Sequence, residues 1–138
     1  MSTEKYTKLN LQSRKMNEHN DCVVISIALV TGWSYKKAHK FCEERGRKKR
    51  HGANGRGILK SLTHHGFKVE KVYYRRESKA LGKPLLTPAK LKDKFERGRY
   101  AVFIGGHMFA YINKEVHDWT SGGKHQIKTV YKITKIRK

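Results

Sequence analysis

Acidic residues are scarce in this sequence: Asp and Glu together number 11 against 32 Lys and Arg, which leaves a formal charge of +21 on 138 residues. Cysteine is scarcer still. Cys22 and Cys42 are the only two, twenty positions apart with no CxxC, a pattern that supports neither a disulfide framework nor a thiolate zinc site. Long apolar runs are missing as well. The run Cys22-Val-Val-Ile25 is broken at once by Ser26, far short of the roughly 18 residues of a membrane span, so no membrane partner is expected. The stretch Met1 to Tyr6 lacks the apolar core of a signal peptide, which argues against standard secretion. With only two prolines and 37% hydrophobic residues, low-complexity and multidomain organisations are disfavoured, and one globular domain over 1–138 is expected.

The charge imbalance points to a polyanionic partner, because ordinary domains mix both signs at small net charge. Nucleic acid, a ribosome, a packaged genome or an anionic envelope would each satisfy it. The densest cationic run is Arg45 to Gly57, in which Arg45, Arg47, Lys48, Lys49, Arg50 and Arg56 are interspersed with glycines. This reads as a basic Gly-rich loop over 45–57 whose backbone can approach phosphates closely. Lys68, Lys71, Arg75, Arg76, Lys79 and Lys83 add further charge, and Tyr73, Tyr74 and Tyr100 are candidates for stacking on bases.

Residues 1–19 are polar and basic without a period and read as an arm. Asn20 and Asp21 are N-cap residues before an apolar helix that stops at Gly32, and Ser34 caps a second helix that ends at Gly46, with Ala38, Phe41 and Cys42 on its apolar face. Ile58, Leu59 and Leu62 suggest a short third helix. Phe67, Val69 and Val72 mark a first strand, Arg75 to Leu86 a loop, and Thr87-Pro88 the start of a short amphipathic helix with Leu91 and Phe95. Four strands are expected next, over 100–104, 108–112, 115–119 and 126–133, and the alternating tail 132–138 reads as an edge strand. Helices first and strands afterwards is the α+β pattern: N-terminal helices packed on a C-terminal antiparallel sheet.

Within that frame a nucleophile and its partners can be named. Cys22 falls where the first apolar helix begins, the end at which a helix favours a thiolate. His107 follows Gly105-Gly106 at the head of an apolar strand, and Asp118 lies past the tight Asn113-Lys114 turn, so a hairpin would make His107 and Asp118 cross-strand neighbours. That is nucleophile, base and orienting carboxylate in the order Cys, His, Asp. Asn17 or Asn20 would donate an amide to the oxyanion. His117 alternates with Asp118 and is expected to point away from the triad, Cys42 reads as core, and His64-His65 as surface residues. No metal site and no cofactor are indicated.

The blocks Asn20-Asp-Cys-Val-Val-Ile-Ser-Ile-Ala-Leu-Val-Thr-Gly32, Gly106-His-Met-Phe-Ala-Tyr-Ile112 and Val116-His-Asp-Trp119 resemble small papain-like cysteine-peptidase-fold proteins of tailed bacteriophages, similar in layout to C39-type peptidases. The resemblance implies a papain-like domain in which Cys22, His107 and Asp118 occupy the matching places. It departs from the family where Met16 stands at the usual position of an oxyanion glutamine. The expected function is therefore a phage-type thiol hydrolase, most simply a cysteine peptidase, working on a protein substrate or virion proteins in the host cytoplasm or the virion. Two other readings share these residues: a non-enzymatic nucleic-acid- or ribosome-binding protein on the same scaffold, and a cell-wall amidase or endopeptidase resembling the NlpC/P60 group.

Overall fold

The computed structural model describes residues 4–15, 22–46, 55–104, 107–117 and 126–136. Their elements in chain order are α1 (Glu4–Lys15), α2 (Cys22–Thr31), α3 (Tyr35–Glu44), α4 (Gly55–Lys60), β1 (Phe67–Tyr74), α5 (Arg75–Ala80), α6 (Leu91–Lys94), β2 (Arg99–Ile104), β3 (His107–Ile112), β4 (Glu115–His117) and β5 (Ile127–Lys135), with single 3-10 turns at Ser61–His64 and Pro88–Lys90. The chain is α+β with one antiparallel five-stranded sheet in the order β1-β5-β2-β3-β4.

Helix α2 is buried on every side because it lies between the sheet and helices α1 and α3; Val23 through Thr31 are all inaccessible. Its end is fixed by polar contacts. Thr31 Oγ1 donates to the Ile27 carbonyl at 2.6 Å and accepts from the Trp33 amide at 3.1 Å, while Arg99 on β2 donates to the Val30 carbonyl at 3.3 Å. Ser34 then caps α3 by accepting from the Lys37 amide. Because Arg99 holds the C-terminal end of α2 and Ser26 Oγ donates to the Met108 carbonyl near the other end, α2 runs along β3 in the same direction.

The sheet is covered on both faces, which is why β2 and β3 are almost continuously apolar rather than alternating. Ala101, Phe103, Met108, Ala110 and Ile112 face the helices. Tyr100, Val102, Ile104, Phe109 and Tyr111 face a second core closed by Leu86, Leu91 and Phe95. Tyr73 anchors that cover through its hydroxyl, which accepts from the Leu86 amide at 3.0 Å. The β3–β4 turn places Asn113 and Lys114 at positive φ, as a tight two-residue hairpin requires, and Asn113 Oδ1 accepts from the Gly98 amide.

Several expectations from sequence are corrected. Residues 4–15 of the expected arm form a helix, in which Tyr6 and Ser13 are buried and Leu9 packs on the core; the stripe has one strong apolar member and so shows little periodicity. Arg75–Ala80 is a helix where a loop was expected. The 45–57 segment is not wholly loop, since Gly55 and Arg56 open α4. The amphipathic helix after Thr87 shrinks to a 3-10 turn and one α-turn. The C-terminal residues 132–135 are not an edge strand: they continue β5, which sits inside the sheet between β1 and β2. Tyr73 and Tyr100, offered as base-stacking residues, are buried in the second core.

Candidate functional site

One end of the sheet collects the chemistry-bearing residues. Cys22 is the first residue of α2, half-buried, and packs on the helix-side core. The Ser26–Met108 hydrogen bond, one turn further on, joins this part of α2 to the head of β3, directly beside His107. Gly55, the first residue of α4, closes on the same spot. A Cβ there would stand 2.9 Å from Phe103 Cε1, 3.3 Å from Val23 Cγ2 and 3.4 Å from Met108 Sδ. Cys22 and His107 are therefore brought to the same end of the sheet.

They are not brought to the same face. His107 pairs with Ile104, and by the alternation of β3 it belongs with Phe109 and Tyr111, on the side away from α2. For its imidazole to meet the Cys22 thiol, it must reach round that end of the sheet. His117 shows the reverse placement. It pairs with Ala110 and is 2% exposed on the helix-covered face, opposite to the face of His107. Burial holds its pKa below the usual histidine value; Glu115, 3.3 Å away, opposes that shift and Lys5 on α1 reinforces it. Asp118, Asn17 and Asn20 lie outside the described residues, as do Arg47, Lys48, Lys49 and Arg50.

The same end of the sheet holds a cavity of about 590 Å³, lined by Arg56, Tyr74, Arg75, Arg76, Lys79, Ala80 and Lys128. Strand β1 ends at Tyr74, opposite Thr129 of β5, and the chain turns there without a spacer into α5. Lys128 precedes Thr129. From across the sheet end, Arg56 Nη2 donates to Thr129 Oγ1 at 3.0 Å, with its guanidinium 5.3 Å from the Phe103 ring centre. Among the described residues, no carboxylate lines it. Lys71 lies beside the site with its ammonium 4.4 Å from the Tyr74 ring centre and 4.0 Å from Glu77. Arg75 Nε is buried and has no hydrogen-bond acceptor among the described residues, a situation that costs about 1–3 kcal/mol until an acceptor is supplied. Such a concave cationic wall has the charge and shape that suit an anion.

Arg45, by contrast, is engaged within the fold. It donates to the Phe41 carbonyl at 2.9 Å at the end of α3, stacks 3.6 Å from the Phe41 ring centre, and its Nη2 lies 2.7 Å from His65 Nε2. Sequence reasoning counted Arg75, Arg76 and Lys79 only as diffuse charge and did not single out Lys128. The local signal was Tyr74-Arg75-Arg76 at the end of a strand. Among the described residues, no group of three His, Cys, Asp or Glu is placed to hold a metal ion, and no helix is long and apolar enough to cross a membrane.

Comparison of the chain with protein-family models, with curated proteins and with solved structures finds no match.

Proposed function

We propose that this protein binds nucleic acid through its phosphates. The observation that carries the reading is the cavity where β1 ends and β5 begins, whose polar wall is built from Arg56, Arg75, Arg76, Lys79 and Lys128, with no carboxylate among the described lining residues. A net charge of +21 supplies the long-range attraction that brings such a ligand in, and the cavity supplies a local place to hold it. The test is binding of labelled oligonucleotides in parallel with polyglutamate of matched charge. Salt-sensitive binding that prefers the oligonucleotides is expected; no binding at physiological salt, or indifference between the two polymers, overturns the reading.

A second reading, a thiol hydrolase of the papain-like kind, is favoured by one observation: Cys22 opens α2 half-exposed at the sheet end that also carries His107. In that chemistry the thiolate attacks an acyl carbon, the protonated imidazole gives its proton to the leaving group, and water then releases the acyl group. The two readings are compatible, since the thiol and the cation cavity occupy the same end of the sheet. Iodoacetamide alkylation at neutral pH separates them. Coupling of the thiol to the imidazole requires the Cys22 rate to fall about tenfold or more in His107→Ala; an unchanged rate removes the hydrolase reading and leaves the binding reading intact.

A further inference from the structure

The cavity differs from a merely cationic surface in two respects: it is concave, and Tyr74 forms part of its wall among the cations. We infer that its occupant is a single-stranded nucleic acid, one nucleotide of which enters the cavity with its phosphate on Arg75, Arg76 and Lys79 and its base against Tyr74. This inference rests on the nucleic-acid-binding reading and names the strand state and the contact that reading leaves open.

The shape argument comes first. About 590 Å³ lies in the range of pockets that enclose a small organic ligand, so it has room for a nucleotide, whereas a duplex presents its phosphates on a stiff cylinder with the bases paired inside. Only an unpaired strand can send both a phosphate and a base face into one pocket. The chemistry agrees. The Arg75 side chain lines the cavity beside Arg76 and Lys79, and a phosphate accepts from guanidinium groups with charge-assisted strength. Arg76, Lys79 and Lys128 are exposed around it, and Arg56 is held in position by Thr129. Sequence-tolerant single-strand binding commonly combines such a cationic track with an aromatic platform. Of the three tyrosines that sequence offers for stacking, Tyr74 alone lines this cavity, while Tyr73 and Tyr100 are packed into the second core.

Fluorescence anisotropy on the full chain tests this with four labelled probes of equal length: oligo-dT, oligo-rU, an abasic deoxyribose-phosphate strand and a DNA duplex. Arg76 and Lys79 are exposed, so Arg76→Gln/Lys79→Gln leaves the packed residues untouched; Lys36→Gln/Lys40→Gln on the outer side of α3 removes the same charge elsewhere. The cavity variant should weaken oligo-dT and oligo-rU binding about tenfold, against about threefold or less for the α3 variant. Tyr74→Leu should weaken the two base-bearing strands to the level of the abasic one, with Tyr74→Phe close to wild type. If the two charge variants lose affinity equally, the cavity is not the site; if the duplex binds as tightly as oligo-dT and Tyr74→Leu changes nothing, the base contact is wrong. Either result leaves nucleic-acid binding standing. Failure of all four probes to bind overturns that underlying reading as well.

Discussion

His117 is a histidine enclosed between β4 and the helix layer, and its environment assigns a sign to the pH dependence of stability. Burial disfavours the imidazolium, Lys5 disfavours it further, and the Glu115 carboxylate favours it; burial is the largest of these effects, so the folded pKa lies below 6.5. The unfolded chain therefore binds the proton more readily than the folded one. Stability from this residue is fully present above pH 6.5 and falls as pH drops from there toward the folded pKa, below which no further loss follows. Urea unfolding between pH 8 and pH 5, compared for wild type and His117→Asn, isolates the effect. The wild-type advantage should shrink on acidification; parallel profiles would show that the His117 pKa is the same in the folded and unfolded chain. Glu115 is 65% exposed at its side chain, so its opposing effect is screened and should weaken further with salt.

Helix α4 is where element geometry and site geometry meet. Gly55 admits no side chain without moving Phe103, and Arg56, the next residue, reaches Thr129 at the cavity. Two effects compete in Gly55→Ala: alanine suits a helix better by up to about 1 kcal/mol, whereas an overpacked contact costs about 1–3 kcal/mol. At the first residue of a helix the propensity gain is small, so the clash should win, with a lower urea midpoint and weaker oligonucleotide binding from a displaced Arg56. A variant as stable as wild type would mean that α4 does not pack closely on Phe103. Elements with a strong local signal were legible in the sequence: the apolar run from Val23 ending at Gly32, the Ser34 cap, and the Asn113-Lys114 turn. Helix α1 was not, because its buried stripe includes Ser13 among polar neighbours, and α5 was not, because Arg75–Ala80 buries no residue at all. The placement of β5 between β1 and β2 depends on pairing with strands far away in the chain, which period-2 alternation in a single segment cannot reveal. For the same reason the relation of His107 to Cys22 was legible only in part. Sequence spacing suggested their meeting at one end of the sheet; the pairing of His107 with Ile104 puts them on different faces.

At the scale of the whole molecule, charge excess was readable from composition, whereas its concentration into a concave site depends on β1, β5, α4 and α5 converging. The two contributions separate in salt. Diffuse attraction from +21 charges is long-range and screened within about 10 Å at 0.1 M salt, while each phosphate held by a lysine or arginine releases condensed counterions. If Arg75, Arg76 and Lys79 share one phosphate of a single strand and Arg56 and Lys128 take about one each, log K should fall with log salt at a slope near −2, which is about eighteenfold between 50 and 200 mM. Arg76→Gln/Lys79→Gln should make that slope shallower by about one, because contacts are removed. Lys36→Gln/Lys40→Gln should lower affinity with the slope almost unchanged, because only the distant field is reduced. Titrations of oligo-dT at four salt concentrations distinguish these outcomes. Equal slopes for wild type and both variants would mean that the cavity cations touch no phosphate and that the protein holds nucleic acid through its overall field alone.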